Sequence, residues 1–309
     1  MIPVNSVLQV GHFPELMQAE IDRRFVPTRH PDPEAPAPAG HFEAILVRSN
    51  VTLPELLVRQ IPSIRMVSTC GVGYDNLPLK YLKEQGIKIS NTPGVLNDAV
   101  CELAMGMMLG LLRRLPEAQE LVKTTGWSQG PFRITTTLAG KQVGIVGMGR
   151  IGQELAERLR PFKVDIAYCG PSPKNLPYSY FKDIASLAKA CDILFLTCPA
   201  TPETDKMVNQ AVLDALGPKG YLINIARGSV VDESALLDAL QHKKIAGAAL
   251  DVYENEPNPN VAFLNLDNVL LTPHIGSATA ETRIAMTNLA VDNLEAFFNQ
   301  QPLPTEVKN

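Results

Sequence analysis

From Val143 onward, short runs of consecutive apolar residues alternate with longer stretches of mixed, helix-compatible character. The runs fall at 143–147 (VGIVG), 164–169 (VDIAYC), 193–197 (ILFLT), 221–225 (YLINI), 246–250 (AGAAL) and 268–272 (NVLLT). Near-continuous apolar character, in place of polar alternation, is what parallel strands covered on both faces require. Six buried strands in a doubly wound sheet are therefore predicted. The earlier part repeats this grammar less regularly, with strands predicted at 6–10, 43–47, 64–68 and 87–90 and helices at 14–22, 53–60 and 76–85. The whole reads as α/β: two Rossmann-like doubly wound parallel-sheet domains with a cleft between them. Residues 1–97 plus 280–309 form a discontinuous first domain and 98–279 the second.

Between these elements the punctuation is clear. Residues 31–40 (PDPEAPAPAG) carry prolines that block helix and inner strand alike, so a surface loop is predicted. Asn97 or Asp98 can cap a helix whose apolar face runs from Val100 to Leu112, with Glu102 in its first turn. That apolar stretch falls short of the roughly 20 residues that a membrane span needs, so it reads as a buried helix. Apolar residues at 284, 286, 289, 291, 294, 297 and 298 predict a last helix over 279–299 that returns the chain to the first domain.

Composition narrows the function. At 309 residues, with 45% hydrophobic and 19% charged, the chain suits a soluble globule of about two domains. The net charge of -4 and pI near 5.8 provide no basic footprint for nucleic acid. Five cysteines, at the irregular positions 70, 101, 169, 191 and 198, suit neither a disulfide framework nor a metal site, and none is expected to hold metal. The opening MIPVNSVLQV has no basic leader, so a cytoplasmic protein with no membrane association is expected.

Within VGIVGMGRIG the first strand of the second domain runs into a complete G-x-G-x-x-G turn followed by a helix over 153–159. Gly147 permits the tight turn, Gly149 lets backbone amides approach a pyrophosphate, and Gly152 lets the helix lie close on its strand. Gly147, Met148, Gly149 and Gly152 are thus candidate cofactor contacts. Ligands of parallel sheets bind beyond the carboxyl ends of the strands. Three chemically apt residues follow such ends: Arg227 in NIARGSVVDE, Glu256 in LDVYENEP and His274 in LLTPHIGSAT. Ketone reduction needs a proton donor and a positive charge on the carbonyl, which a Glu-oriented His and an Arg supply. Gly71 and Gly73, flanking Val72 at another strand end, can expose successive N–H groups as an anion nest, and Asn50 follows the strand at 43–47.

Beyond the second strand, where an NAD site places an acid on the ribose, the sequence is AYCGPSPKN. Cys169 takes the acid's place and no Asp or Glu occurs over 166–175, so Ser172 and Lys174 are free to donate to the extra phosphate of NADPH. NADPH is the expected cofactor, with NADH use left open.

The series STCGVGYDN, VLNDAVCELA, VGIVGMGRIG, TCPATPET, INIARGSVVDE, GAALDVYENEP and LTPHIGSATAETR resembles the D-2-hydroxyacid dehydrogenases, in the branch of glyoxylate/hydroxypyruvate, hydroxyphenylpyruvate and 2-ketogluconate reductases. The resemblance runs almost the whole chain from about Val67. It implies reduction of a small 2-oxo acid by NADPH, with Arg227 binding and polarising the substrate, His274 as acid/base, Glu256 paired with it, and the Gly71–Gly73 amides on the substrate carboxylate. It further implies cofactor contacts at Arg150, Ile151, Cys198, Pro199, Ile225, Ala226, Asp251 and Gly276, and a homodimer built on the 98–125 region. It makes 98–279 the dinucleotide-binding domain and the other the substrate-binding domain. The sequence departs from the NADP-type pattern at Pro171, where an Arg is usual. Two rivals remain: an NAD-dependent member acting on hydroxyphenylpyruvate or phosphoglycerate, and a dinucleotide-sensing binding module akin to corepressors of this fold.

Overall fold

The computed structural model describes residues 2–308. The chain divides into two compact units, one made of the residues up to Asn97 together with those from Ser277 onward, the other spanning Asp98–Gly276.

In the first unit the chain runs β1 (Val7–Val10), α1 (Glu15–Arg24), β2 (Thr28–His30), β3 (Ala44–Arg48), α2 (Glu55–Arg59), β4 (Met66–Cys70), α3 (Leu79–Glu84) and β5 (Lys88–Ser90). The strands form one parallel sheet in the order β2-β1-β3-β4-β5. Val10 lies opposite Val47 and Val47 opposite Thr69, so the carboxyl ends of β1, β3 and β4 finish level. Leu8, Val10, Ile45, Val47 and Val67 face a core completed by Leu57, Val58 and Leu82 of α2 and α3.

The second unit contains α4 (Asn97–Arg113), α5 (Leu115–Lys123), β6 (Gln142–Val146), α6 (Arg150–Leu159), β7 (Asp165–Cys169), β8 (Ser179–Phe181), α7 (Ile184–Ala190), β9 (Ile193–Leu196), α8 (Gln210–Leu216), β10 (Tyr221–Asn224), α9 (Glu233–Gln241), β11 (Gly247–Leu250) and β12 (Val269–Leu271). Its parallel sheet has the order β12-β11-β10-β9-β6-β7-β8, which reverses direction at β6 and β9. Both faces are covered. Ile145, Phe195, Ile223 and Ala249 meet α4 and α6 through Met107, Met108, Leu155 and Ala156. Their neighbours Val146, Leu194, Leu196, Leu222 and Ala248 meet α7, α8 and α9 through Leu187, Leu213 and Leu236. Successive strand residues thus bury on opposite sides, which accounts for the uninterrupted apolar runs. Each such Leu, Ile or Phe contributes about 1.5–3 kcal/mol by leaving water.

The last helix, α10 (Ala280–Phe298), packs on α1 and β4 of the first unit. Thr279 caps it by accepting the Thr282 N–H at 3.2 Å, and Arg24 of α1 bonds Asp292 at 2.7 Å and Glu295 at 2.6 Å. The other face of the first sheet is engaged there too, with Ser68 Oγ donating to the Ala290 carbonyl at 2.9 Å.

Several boundaries differ from those the sequence predicts. β2 and β8 were not foreseen, so the sheets have five and seven strands rather than four and six. Asn97 lies inside α4, so Asn97 and Asp98 occupy its first turn and neither caps it. α6 starts at Arg150, three residues ahead of the predicted helix, and α5 is an additional helix. Residues 31–40 contain no helix or strand.

Candidate active site

The glycine-rich turn leaves β6 where the second sheet changes direction, the place such sheets reserve for ligands. Gly147 has φ +96°, and a Cβ there would stand 2.6 Å from the Cys198 nitrogen. At Gly152 a Cβ would reach 2.2 Å from the Gly147 carbonyl oxygen, so any side chain would push α6 off the turn. Gly149 precedes α6 with nothing within 4 Å of its would-be Cβ, an opening where backbone amides and the helix dipole can meet an anion. These features fit the pyrophosphate of a dinucleotide. Thr197 Oγ1 holds the turn against β9 by donating to the Gly147 carbonyl at 2.6 Å. Met148 is 2% exposed and its side chain belongs to the core, leaving only its backbone for a ligand. Arg150 and Pro199 are exposed, Ile151 is half-buried and Cys198 buried.

At the end of β7, Cys169 is buried and the following loop exposes Ser172 and Lys174. The fold brings one acid that sequence proximity concealed: Asp183 lies near enough to raise the Cys169 thiol, after burial, which is the larger cause. That carboxylate caps α7, accepting the Ser186 N–H at 2.8 Å and the Ser186 hydroxyl at 2.9 Å.

Beyond β10, β11 and β12 the structure brings Arg227, Glu256 and His274 together. His274 Nδ1 lies 2.6 Å from Glu256 Oε2, with the two side chains 33% and 28% exposed. Because a carboxylate only accepts, Nδ1 carries the shared proton and Nε2 is the ring atom left for exchange. Glu256 Oε1 also accepts the Tyr253 N–H at 3.1 Å. Burial alone would raise the Glu256 carboxyl, but the bond and charge of His274, the Tyr253 amide and the Arg227 charge together hold it below the usual carboxylate range. An ionised glutamate therefore orients the imidazole, with a guanidinium beside the pair.

The supports of this trio come from distant segments. Asn224 shapes the Arg227 turn, accepting the Ala226 N–H at 3.0 Å and donating to the Arg227 carbonyl at 2.9 Å; Ala226 is buried and Ile225 half-buried. Gly228 allows that turn to touch the next loop, since a Cβ there would overlap the Tyr253 carbonyl carbon at 1.9 Å. Glu233, 9% exposed, accepts the Glu254 N–H at 2.6 Å. His274 itself adopts φ +52°. Asp251, 2% exposed, fixes the chain around it by accepting from Thr272 Oγ1 at 2.7 Å and from the N–H groups of Ile275 and Gly276 at 2.8 Å each. The sequence singled out Asp251 and Gly276 as cofactor contacts; within this chain they bond each other. Gly228, Glu233 and Tyr253 escaped the sequence reading, and only the acid-rich spacing of VDE and YENE hinted at them.

In the first unit, Gly71 has φ +155° and stands so close to Ser49 that a Cβ would meet its Oγ at 1.9 Å. The Gly71 carbonyl accepts the Thr92 N–H at 2.8 Å and the Val72 carbonyl accepts Asn91 Nδ2 at 2.8 Å. Among the described residues, the N–H groups of Val72 and Gly73 bond no backbone carbonyl. Asn50 is exposed just past β3. Among the described residues no group of three or more His, Cys, Asp or Glu is placed to hold a metal ion.

Residues 105–276 match the family "D-isomer specific 2-hydroxyacid dehydrogenase, NAD binding domain". The chain is 42% identical over 308 residues to hydroxyphenylpyruvate reductase of Plectranthus scutellarioides, covering 98% of each. It is 40% identical over 256 residues to 2-ketogluconate reductase of Gluconobacter oxydans, covering 82% of this chain and 83% of that one. Its fold superposes with a TM-score of 0.94 and 40% identity on an NADPH-dependent glyoxylate/hydroxypyruvate reductase from Sinorhizobium meliloti in complex with NADP and malonate, covering 99% of this chain and 97% of the other.

Proposed function

The chain belongs to the D-isomer specific 2-hydroxyacid dehydrogenase family, and from that premise we propose that it reduces small 2-oxo acids such as glyoxylate, hydroxypyruvate or 2-ketogluconate to D-2-hydroxy acids with NADPH. The observation that carries the reading is the 2.6 Å bond between His274 Nδ1 and Glu256 beside the Arg227 charge. Bound nicotinamide supplies the hydride. This chain's residues do the rest. Arg227 offers a permanent charge and two parallel donors to the substrate's carbonyl or carboxylate oxygens. In the first unit the N–H groups of Val72 and Gly73 offer an anion nest suited to a carboxylate, with Asn50 past the end of β3, the strand beside β4. His274 delivers a proton from Nε2 to the carbonyl oxygen, and Glu256 stabilises the charged ring beforehand.

Support for NADPH comes from the exposed Ser172 and Lys174 in a loop without a carboxylate of its own, and from the NADP bound in the Sinorhizobium meliloti relative. A homodimer built on the 98–125 region is part of the same reading, supported by the apolar side chains that α5 and the following segment leave exposed: Leu115, Val122, Trp127 and Ile134. A reducing, cytoplasmic setting is supported by five unpaired, buried cysteines. No helix among the described residues is long and apolar enough to cross a membrane.

The test is a steady-state panel of 2-oxo acids with NADPH and NADH, run on wild type and His274→Ala. Losing the proton donor should lower kcat by about 10²–10⁴-fold while calorimetric binding of NADPH changes little. Undiminished turnover in the variant would remove His274 from the chemistry, and a wild type that turns over none of the 2-oxo acids would leave a binding module as the better reading.

A further inference from the structure

Two tyrosines outside the catalytic trio bracket the loop that carries Ser172 and Lys174. Tyr168 on β7 and Tyr180 on β8 are paired across the two strands, their ring centroids 5.4 Å apart and tilted by 55°. The Tyr168 hydroxyl accepts the Lys174 N–H at 2.6 Å and reaches the Lys174 carbonyl at 3.3 Å. The Tyr180 hydroxyl donates to the Gly170 carbonyl at 3.1 Å. One hydroxyl therefore holds the far end of the loop and the other its near end. Between these anchors stand Pro171 and Pro173, whose rings fix φ on either side of Ser172. Tyr168 is 1% exposed, whereas the four residues 171–174 are all exposed.

This economy of anchoring has a purpose that packing alone does not require. A solvent-exposed loop of five residues, 170–174, ordinarily samples many conformations, and ordering it at the moment of binding weakens affinity. With its ends tied and its middle stiffened, the loop holds the backbone from which Ser172 and Lys174 project in one arrangement before any ligand arrives. Lys174 is the single cation over 166–175, so discrimination rests on holding it in place rather than on adding charge. The carboxylate of Asp183 is itself engaged at the start of α7.

We propose that Tyr168 and Tyr180 are positioning residues for cofactor choice, clamping the 170–174 loop so that Ser172 and Lys174 favour a dinucleotide with a phosphate on its ribose 2′-oxygen. The proposal rests on the NADPH reading above. It is tested by titrating 2′,5′-ADP and 5′-AMP into the full chain by calorimetry, for wild type, Tyr168→Phe, Tyr180→Phe and Lys174→Ala, with the unfolding temperature measured alongside. Wild type should prefer 2′,5′-ADP, and each Phe variant should lose about tenfold of that preference as the loop loosens. Tyr180 is only partly buried, so its variant keeps the test valid if Tyr168→Phe fails to fold. Preference lost in Lys174→Ala but kept within twofold in both Phe variants overturns the clamp and leaves the NADPH reading standing. No preference in wild type overturns both.

Discussion

His274 adopts a left-handed backbone, φ +52°, a conformation that costs a non-glycine residue energy and persists only where neighbours impose it. Asp251 imposes it by taking the next two N–H groups, and the ring is then caught by Glu256. The pair sets a pH dependence whose sign follows from Glu256. Its folded-state value lies below the ordinary 4.5, so near pH 4 the unfolded chain binds more protons at this site and stability rises with pH. The contribution is present above that ordinary range and is lost as pH falls through the lower folded value. Glu256→Gln should therefore be less stable than wild type near neutrality, with the deficit shrinking toward pH 3, in urea unfolding across that range; a deficit independent of pH would dissociate the ion pair from stability. The thiols make a second residue-level prediction. Burial pushes Cys70, Cys101 and Cys191 up to about 12 and Cys198 to about 11, so almost no thiolate exists at neutral pH. An aromatic disulfide reagent should titrate none of the five quickly in the folded protein and all of them in urea.

Strands buried on both faces and helices with one apolar face were legible in the sequence, as was the partly buried edge strand β12, whereas two short edge strands and one exposed helix were not. β6, β9, β10 and β11 are buried almost throughout, and they are apolar except at the terminal Gln142 of β6 and Asn224 of β10. β2 and β8 are three-residue edge strands reading TRH and SYF, largely outside the core, so no hydrophobic pattern marks them. α5 buries no residue at all, so no core contact selects its apolar pattern. The same division holds at the site. Arg227, Glu256 and His274 could be found because each follows a strand end, whereas their supports depend on contacts between separate segments, such as Glu233 with Glu254 across 21 positions. Gly228 shows how tight that junction is, with Tyr253 and Glu254 backbone atoms 1.9–2.3 Å from a would-be Cβ. Backbone cannot swing aside as a side-chain tip can. Gly228→Ala should cost about 1–3 kcal/mol of stability and, by parting the Arg227 turn from the Glu256 loop, reduce kcat as well; urea unfolding and steady-state kinetics on one preparation check both. A variant of unchanged activity would show that the two segments need no fixed spacing.

For the molecule as a whole, charged residues make up 19% of the chain and the net charge of -4 opposes self-association only weakly. Against that background the segment from α5 to residue 134 stands apart. Leu115 is 55% exposed, Val122 59%, Trp127 68% and Ile134 100%. A single exposed apolar residue needs no explanation, but four large ones within 20 positions of chain are what the proposed dimer would cover. Ion pairs hold its base in place: Arg114 bonds the Asp267 carbonyl at 2.6 Å and pairs with Glu117, and Arg133 lies 3.5 Å from Glu117. A segment fixed at its base and apolar along its length is suited to a permanent interface, where burial rather than charge provides the affinity. Light scattering should accordingly give a mass of twice 33.6 kDa, insensitive to salt. Placing carboxylates on this surface with Val122→Asp and Trp127→Asp should release monomers, and because neither side chain is buried within the chain, the monomer should keep its own fold by circular dichroism. A wild-type mass of 33.6 kDa at micromolar concentration would mean that the apolar segment awaits some other partner.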